Sequence, residues 1–588
     1  MEESDSDDDD DDDDDDDFED AQDEPPSEPR RYPVRSNRGK KPSEWYKAMS
    51  ADCHNQVTIT TSDEPTLTEA LNATPEEREL WEAAIEEEMR SLDANDTWTP
   101  DPSPESQPLP THAVLKIKRK ADGSVERFKA RVVAGGNHQV YGENYKETYA
   151  PVVSFTMVRL FLYLTLCLGM CIGQVDVKTA FLNGELSESV WVMSPRGIPG
   201  VVSMCYRLLK AMYGLKQAHL AWHTKLVGDL KGIGFIELPS APCVFMREGK
   251  DGLQEYILAY VDDLLILAHT IAARNAIVEE LKSLYNLRVS EDVNLFLGVQ
   301  LKWSMDTRGR VTSLKLFQPQ YVEGTLRRFG MQNSKPAISP MVESFFTGLA
   351  AEQDKSIVDQ QLYQQMIGCL LYIGLRSRPD ILVAVLILAR FQVNPTAYCH
   401  RGVKRILRYL RGTTDYGITY TAGSMDMQSF VDSDHAGDVT DRKSMSGFMV
   451  KLGNAVVMWG CKKQTSVAIS SCEAEYYAMT PASQEIISIG RVLNEAGIDC
   501  KYLGVPMRSD NQAAIRWAAS EKGPSGRAKH IDIHMHFIRD FVKDGTIDVV
   551  YVPTEDNDAD MLTKPLGRVA MQSIMKRLSL SGAVEEEC

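Results

Sequence analysis

The sequence predicts a multidomain chain of mixed α and β structure behind a disordered acidic arm, and three observations point to it. The 588 residues exceed what one compact unit holds, at about 100–200 residues per domain. Hydrophobic residues make up 43% and charged residues 25%, close to the globular average, so most of the chain can bury a core and a wholly disordered protein is excluded. Helical and strand periodicities then follow one another along the chain, with no internal repeat. The net charge of −20 is misleading, because residues 1–29 hold 19 Asp or Glu and no Lys or Arg, and beyond them 64 basic side chains face 65 acidic ones. The body is near neutral, so overall charge identifies no partner.

Asp7 to Asp17 is an unbroken run of eleven aspartates, which repel one another, bury nothing and form a disordered tail. Residues 30–42 follow with six cations in thirteen positions and read equally as a nuclear-import or nucleic-acid patch and as a linker. Folded sequence is expected from about Thr74. A Thr-Pro start, acidic first-turn residues and Leu80, Ala84, Ile85, Met89 and Leu92 at helical spacing predict an amphipathic helix over 77–92. Residues 114–133 alternate like a hairpin around Ala121-Asp122-Gly123. On its second strand Lys129 and Arg131 are two apart and share a face, so both can reach one anionic ligand, although exposed strand faces also carry such charges without one.

Residues 155–170 read as an apolar helix and 173–177 as a strand. Two apolar strands, 255–260 and 264–268, flank Val261-Asp262-Asp263. Adjacent aspartates at a hairpin tip repel each other and become favourable when divalent cations sit between them, which is what phosphoryl transfer needs; a plain Asp-rich turn is the other reading. Residues 320–420 are rich in helical pattern, and an α/β stretch from about 426 begins with the strand 429–432. The longest apolar runs, 160–173 and 381–389, fall short of the roughly 20 residues that span a bilayer, and the N-terminus lacks a signal-peptide pattern. Eleven scattered cysteines without a CxxC pair argue against a disulfide framework or zinc ribbon and for a reducing compartment.

Six motifs occur in a fixed order: 127–133 (RFKARVV), 147–154 (ETYAPVVS), 174–184 (QVDVKTAFLNG), 213–218 (YGLKQA), 260–263 (YVDD) and 296–299 (FLGV). Together they resemble the reverse transcriptase of copia-type LTR retrotransposons, over about Trp81 to Leu566. The resemblance implies an α+β right-hand polymerase with fingers, palm and thumb, whose metal-binding carboxylates fall on Asp176, Asp262 and Asp263. It implies that Lys129 and Arg131 hold the incoming triphosphate, that Phe181 is an aromatic gate against a 2′-OH, and that Gln217 and Tyr260 lie at the nucleotide. It also implies that Phe296, Leu297 and Gly298 grip the primer. Gln217-Ala218-His219-Leu220 departs from the usual Ala-Pro-Arg after the glutamine, which bears on positioning rather than on the metal site.

Beyond residue 425, FVDSDHAG (430–437), SSCEAEYYA (470–478), RSDNQA (508–513) and YVPT (551–554) leading to DADMLTK (558–564) look like the RNase H domain joined to copia-type polymerases. The places of its catalytic carboxylates fall on Asp432, Glu475, Asp510 and Asp560, with Asp434 the alternative to Asp432 and Glu473 to Glu475. Glu475 is preferred because Ala478 keeps the small helix position after it. His530, His534 and His536 do not form a convincing zinc set. The implied domains are a disordered tail and linker over 1–73, reverse transcriptase over 74–319, a helical thumb or connection over 320–425, an α/β RNase H-like domain over 426–567 and a C-terminal tail over 568–588.

The implied activity is RNA- and DNA-directed DNA synthesis with RNase H cleavage, using Mg²⁺ or Mn²⁺, two ions per site. The implied partners are an RNA template, a DNA primer, the RNA–DNA hybrid and dNTPs, with no membrane, together with the integrase and capsid regions of the same element. The chain would be the C-terminal part of a Pol polyprotein, placed in a cytoplasmic virus-like particle or the nucleus. An inactive or co-opted relic that binds nucleic acid without turnover is the second expectation.

Overall fold

The computed structural model describes residues 62–582 except 120–123, 291, 306–310, 352–357, 438–440, 501–502 and 521–531; the aspartate run, the basic segment and His530 lie outside them. Side chains of 532–535 are also outside, so the histidine reading at 530–536 is not placed. Order begins earlier than expected. A short helix, Leu67–Leu71, precedes Thr74 because Thr66 and Glu69 form a reciprocal capping box and Ala70 is fully buried.

The first unit sets the helix Pro75–Ala94, N-capped by Thr74, against the antiparallel pair Thr111–Arg119 and Val125–Ala134. Trp81, Ala84 and Ile85 from the helix close over Leu115, Ile117 and Ala130 from the strands; Ala84 and Ile85 belong to the predicted apolar stripe, whereas Leu80 is exposed and Trp81 takes the inward place beside it. Glu88 is buried at this junction and accepts from the Val132 N–H at 3.1 Å.

The second unit is a six-stranded antiparallel sheet in the order Leu287–Ser290, Cys171–Val177, Asp263–Ala268, Gln254–Tyr260, Ala241–Glu248, Ile236–Leu238. The near-continuous apolar runs of its central strands fit burial on both faces. The helix Phe155–Cys167, buried at ten of thirteen positions, is one of the elements that bury it.

A five-stranded sheet follows, Leu295–Phe296, Val299–Met305, Val311–Phe317, Gly417–Thr421, Leu580–Ser581. It corrects two boundaries drawn from the sequence. The 320–425 region is not wholly helical, since Gly417–Thr421 pairs with Val311–Phe317. The last residues are not simply a tail, since Arg568–Arg577 is a helix and Leu580–Ser581 pairs with the Gly417–Thr421 strand. Five-residue and two-residue strands give too little periodicity to be read in advance. Between them, the helices Gln360–Arg376, Pro379–Ala389 and Ala397–Gly412 share one apolar core.

The last sheet runs Ala455–Lys463, Met445–Leu452, Met427–Asp434, Val505–Ser509, Ile547–Tyr551, antiparallel among the first three and parallel thereafter. The helix Ser471–Glu495 packs on it, with fifteen of its residues buried.

Arg159 ties the units together. Only 3% exposed, it donates to the Val457, Leu375 and Arg376 carbonyls and lies 3.7 Å over the Trp459 ring. Burial pulls its pKa down to about 9, and among the described residues no carboxylate pairs with it. The carbonyls of the Gln360–Arg376 helix end are good acceptors for a cation. Arg159→Ala leaves the buried Val457 carbonyl without its donor and removes the contacts with the Leu375 and Arg376 carbonyls; it is expected to lower stability by about 1–3 kcal/mol, read as a lower urea midpoint, and an unchanged midpoint would contradict this role.

Candidate active sites

The first site is built by strand register. Asp263 lies directly across from Asp176 on one neighbouring strand and from Tyr260 on the other. Like charges in cross-strand register repel, so something must hold them. Val261, at the hairpin tip, has φ +57°, a left-handed conformation that is an outlier for a β-branched residue. It persists because Trp222 Nε1 donates to its carbonyl at 2.7 Å, while the Val177 N–H donates to the Asp262 carbonyl at 2.8 Å. Burial raises the Asp262 carboxyl, Asp176 adds to the rise, and Arg131 and Lys129 oppose it. Burial pushes Asp263 up to about 6, with Asp176 and Asp262 adding, against the hydrogen bond from Gln174 Nε2 to Oδ1 at 2.8 Å. Asp176 is exposed.

The basic hairpin faces this cluster. The Arg131 guanidinium sits 4.6 Å from the Tyr213 ring centre, and Tyr213 meets Phe181 edge-on at 5.1 Å. Phe181 rides on the one-turn helix Ala180–Asn183, entered through Thr179 at φ +54°. Gly214 has φ +92°, and a Cβ there would lie 2.2 Å from the Ala134 carbonyl; this close approach needs glycine and joins the 213–217 loop to the end of the hairpin.

Two residues expected to touch substrate are placed otherwise. Gln217 is 3% exposed; its amide donates to the Asn144 carbonyl at 2.7 Å and accepts from Gln139 at 2.9 Å, so it fastens the 139–144 loop. Phe296 is 1% exposed and belongs to the core, since a strand alternates its faces and this one points inward. The hairpin tip itself, Leu297 and Gly298, has φ +48° and +76°, the paired positive values of a tight hairpin turn. Tyr372 braces it by donating to the Leu297 carbonyl at 2.8 Å.

The second site lies at the end of the Met427–Asp434 strand. Carboxylate oxygens of Asp432, Asp510 and Asp560 all fall within 4.8 Å of one another. Glu475, on the Ser471–Glu495 helix, joins them: burial pushes its carboxyl up to about 10, with Asp432, Asp510 and Asp560 adding, while the Ser433 N–H donating at 3.2 Å opposes. Burial pushes Asp560 to about 7, with Asp432 adding and Lys564 opposing through a 3.1 Å contact. Glu475 Oε2 and Asp560 Oδ1 are buried without a hydrogen-bond partner, an arrangement that suits a bound cation. The paired candidates are placed differently. Asp432 is in the cluster and Asp434 is outside the triad, and Glu473 instead accepts from the Ile469 N–H at 2.9 Å in the first helical turn.

Supporting residues come from the same motifs but were not singled out from sequence. Thr563 donates to Asp432 and Thr554 to Asp510 at 2.8 Å; both threonines stand inside motifs whose acids alone drew attention.

Residues 95–343 match the family model described as reverse transcriptase (RNA-dependent DNA polymerase). The chain is 33% identical to the retrovirus-related Pol polyprotein from transposon TNT 1-94 of Nicotiana tabacum, covering 87% of this chain and 38% of that protein. It is 35% identical to the Pol polyprotein from transposon RE2 of Arabidopsis thaliana, over 87% of this chain and 34% of that protein. A transposon Ty5-1 protein of Saccharomyces cerevisiae is matched over 100% of its length and 53% of this chain at 31% identity. The chain belongs to the copia-type retrotransposon reverse transcriptase family. It spans little more than a third of the Pol polyproteins above. Likeness to the foamy viral protease-reverse transcriptase solved with double-stranded DNA is slight, with TM-score 0.42 and 12% identity over 80% of this chain and 69% of that one.

In this copia-type chain Glu475 and Asp560 are held above their ordinary values, so folding takes up protons. Stability is therefore full below the unfolded values near 4 and falls as pH rises through about 7 and on to about 10. In EDTA at pH 8, Glu475→Gln is expected to stabilise by about 2–4 kcal/mol, shrinking towards zero at pH 4 and with added Mg²⁺. Thermal unfolding across pH checks this, and destabilisation at pH 8 would contradict it.

Proposed function

We propose that this chain copies retrotransposon RNA into DNA and cleaves the RNA strand of the resulting hybrid. The observation that carries the reading is the convergence of two separate carboxylate clusters, the first faced by Lys129 and Arg131. In this reading the 74–319 region supplies fingers and palm, the 320–425 helices the thumb, and the 426–567 unit is RNase H-like.

Asp176, Asp262 and Asp263 would hold divalent cations at the polymerase site, and Asp432, Glu475, Asp510 and Asp560 at the nuclease site, Mg²⁺ being the hard, oxygen-seeking choice. Bound there, such ions stabilise charge on the attacking and leaving oxygens of an in-line displacement. The protein's own groups do the rest. Lys129 and Arg131 neutralise the triphosphate of a dNTP through charge-assisted hydrogen bonds. Phe181, fixed by Tyr213, takes up the space a 2′-OH would need, which favours dNTPs over rNTPs. Gln217 acts at one remove by fastening the loop beside the site, and the braced Leu297-Gly298 tip positions the primer. At the second site Thr563, Thr554 and Lys564 keep the acids oriented, and the hybrid is distinguished by its geometry and 2′-hydroxyls.

The test is Mg²⁺-dependent incorporation of dTTP on oligo(dT)-primed poly(rA). The parent is expected to incorporate, and Asp262→Asn/Asp263→Asn to lose at least about a thousandfold, about 4 kcal/mol of transition-state stabilisation. A parent that binds the duplex but incorporates nothing with Mg²⁺ or Mn²⁺ would favour the relic that binds without turnover.

A further inference from the structure

The polymerase-like sheet carries a third group of ligand-type side chains, away from both acidic clusters. His223 on the helix Ala218–Gly232, Glu237 on the edge strand Ile236–Leu238 and Cys243 on Ala241–Glu248 place an imidazole nitrogen, a carboxylate oxygen and a sulfur within 4.8 Å of one another. Their hydrogen bonding leaves the centre of the group unexplained. His223 Nε2 is buried and has no hydrogen-bond partner; its distance of 3.8 Å to Glu237 Oε1 is too long for one. Cys243 is 3% exposed, and its thiol makes a contact of 3.4 Å with the Pro151 carbonyl.

The backbone is bent to put the sulfur there. Cys243 has φ +63°, a left-handed conformation that costs a non-glycine residue energy, and its N–H is pinned to Glu237 Oε1 at 2.7 Å. The strain therefore fixes the one side chain of the three that is softest as a ligand.

We infer that His223, Glu237 and Cys243 form a structural zinc-type site. The donor set decides the ion: nitrogen, thiolate and a single carboxylate suit Zn²⁺, whereas Mg²⁺ and Ca²⁺ want oxygens throughout. Ligands about 2.0–2.3 Å from a tetrahedral ion lie about 3.3–3.8 Å apart; the His223–Glu237 pair already matches this at 3.8 Å, and the sulfur lies within 4.8 Å of both. Three protein ligands leave the fourth position of a tetrahedral ion open to water. On binding, the Cys243 thiol gives its proton to solvent and the thiolate takes the ion.

The site has a structural consequence for the first acidic cluster. Trp222, beside His223, is the residue that donates to the Val261 carbonyl at 2.7 Å. An ion bridging helix and edge strands anchors the helix that braces the Val261-Asp262 turn. The inference stands apart from the proposed function, because it concerns metal uptake and not turnover.

The test uses the full chain, loaded with Zn²⁺ or Co²⁺ and desalted in Mg²⁺ buffer. The parent and Asp262→Asn/Asp263→Asn are expected to keep one equivalent of Zn²⁺, and the Co²⁺ form to show a thiolate charge-transfer band. Cys243→Ser should lose that band and His223→Gln should lose the retained zinc, with unchanged far-ultraviolet circular dichroism. His223→Cys, which restores a ligand, should regain uptake where His223→Gln does not. No retained zinc in the parent, or zinc and the band persisting in Cys243→Ser, overturns the site.

Discussion

Carboxylates held side by side repel, and the surroundings of both acidic clusters are arranged around that constraint. At the first, the repulsion between Asp176 and Asp263 is imposed by antiparallel register, and the turn that adds Asp262 is strained at Val261. The Trp222 and Val177 hydrogen bonds hold it, and Lys129 and Arg131 offset the charge from across the cleft. At the second, burial makes Glu475 and Asp560 harder to ionise. Repulsion of this kind would be relieved by a bound cation, which is the role the proposed function gives both clusters.

The two clusters are not on independent beads. Arg159, from a helix packed on the first sheet, spends its donors on carbonyls of the Gln360–Arg376 helix and of the Ala455–Lys463 strand. The strand Leu580–Ser581, last among the described residues, closes the sheet that begins at the Leu295–Phe296 hairpin. The two clusters therefore sit at fixed relative positions.

Much of this was legible in the sequence. Helix 77–92, the basic hairpin and the two strands around Val261-Asp262-Asp263 follow from periodicity, because each buries a long regular stripe. The carboxylates were legible through motif order rather than physics, since an acid on a short strand end looks like any surface acid. Burial of individual side chains was not. Gln217 and Phe296 resemble contact residues by position, but their direction depends on neighbours distant in sequence, Asn144 and the hairpin register. The choice between Asp432 and Asp434 shows the same limit: both lie on one strand face, and only the third dimension says which meets Asp510 and Asp560. His223, Glu237 and Cys243 carry no spacing signature, because a helix, an edge strand and a strained strand bring them together.

The central claim is that this one chain holds two complete and separable acidic centres. The measurement that tests it most directly follows a hybrid with labelled RNA and an extendable DNA primer in one reaction, using chains disabled at one centre at a time. Asp262→Asn/Asp263→Asn should still cut the RNA without extending the primer, and Glu475→Gln should extend the primer and leave the RNA intact. Loss of both activities in either variant, with folding unchanged, would contradict the account.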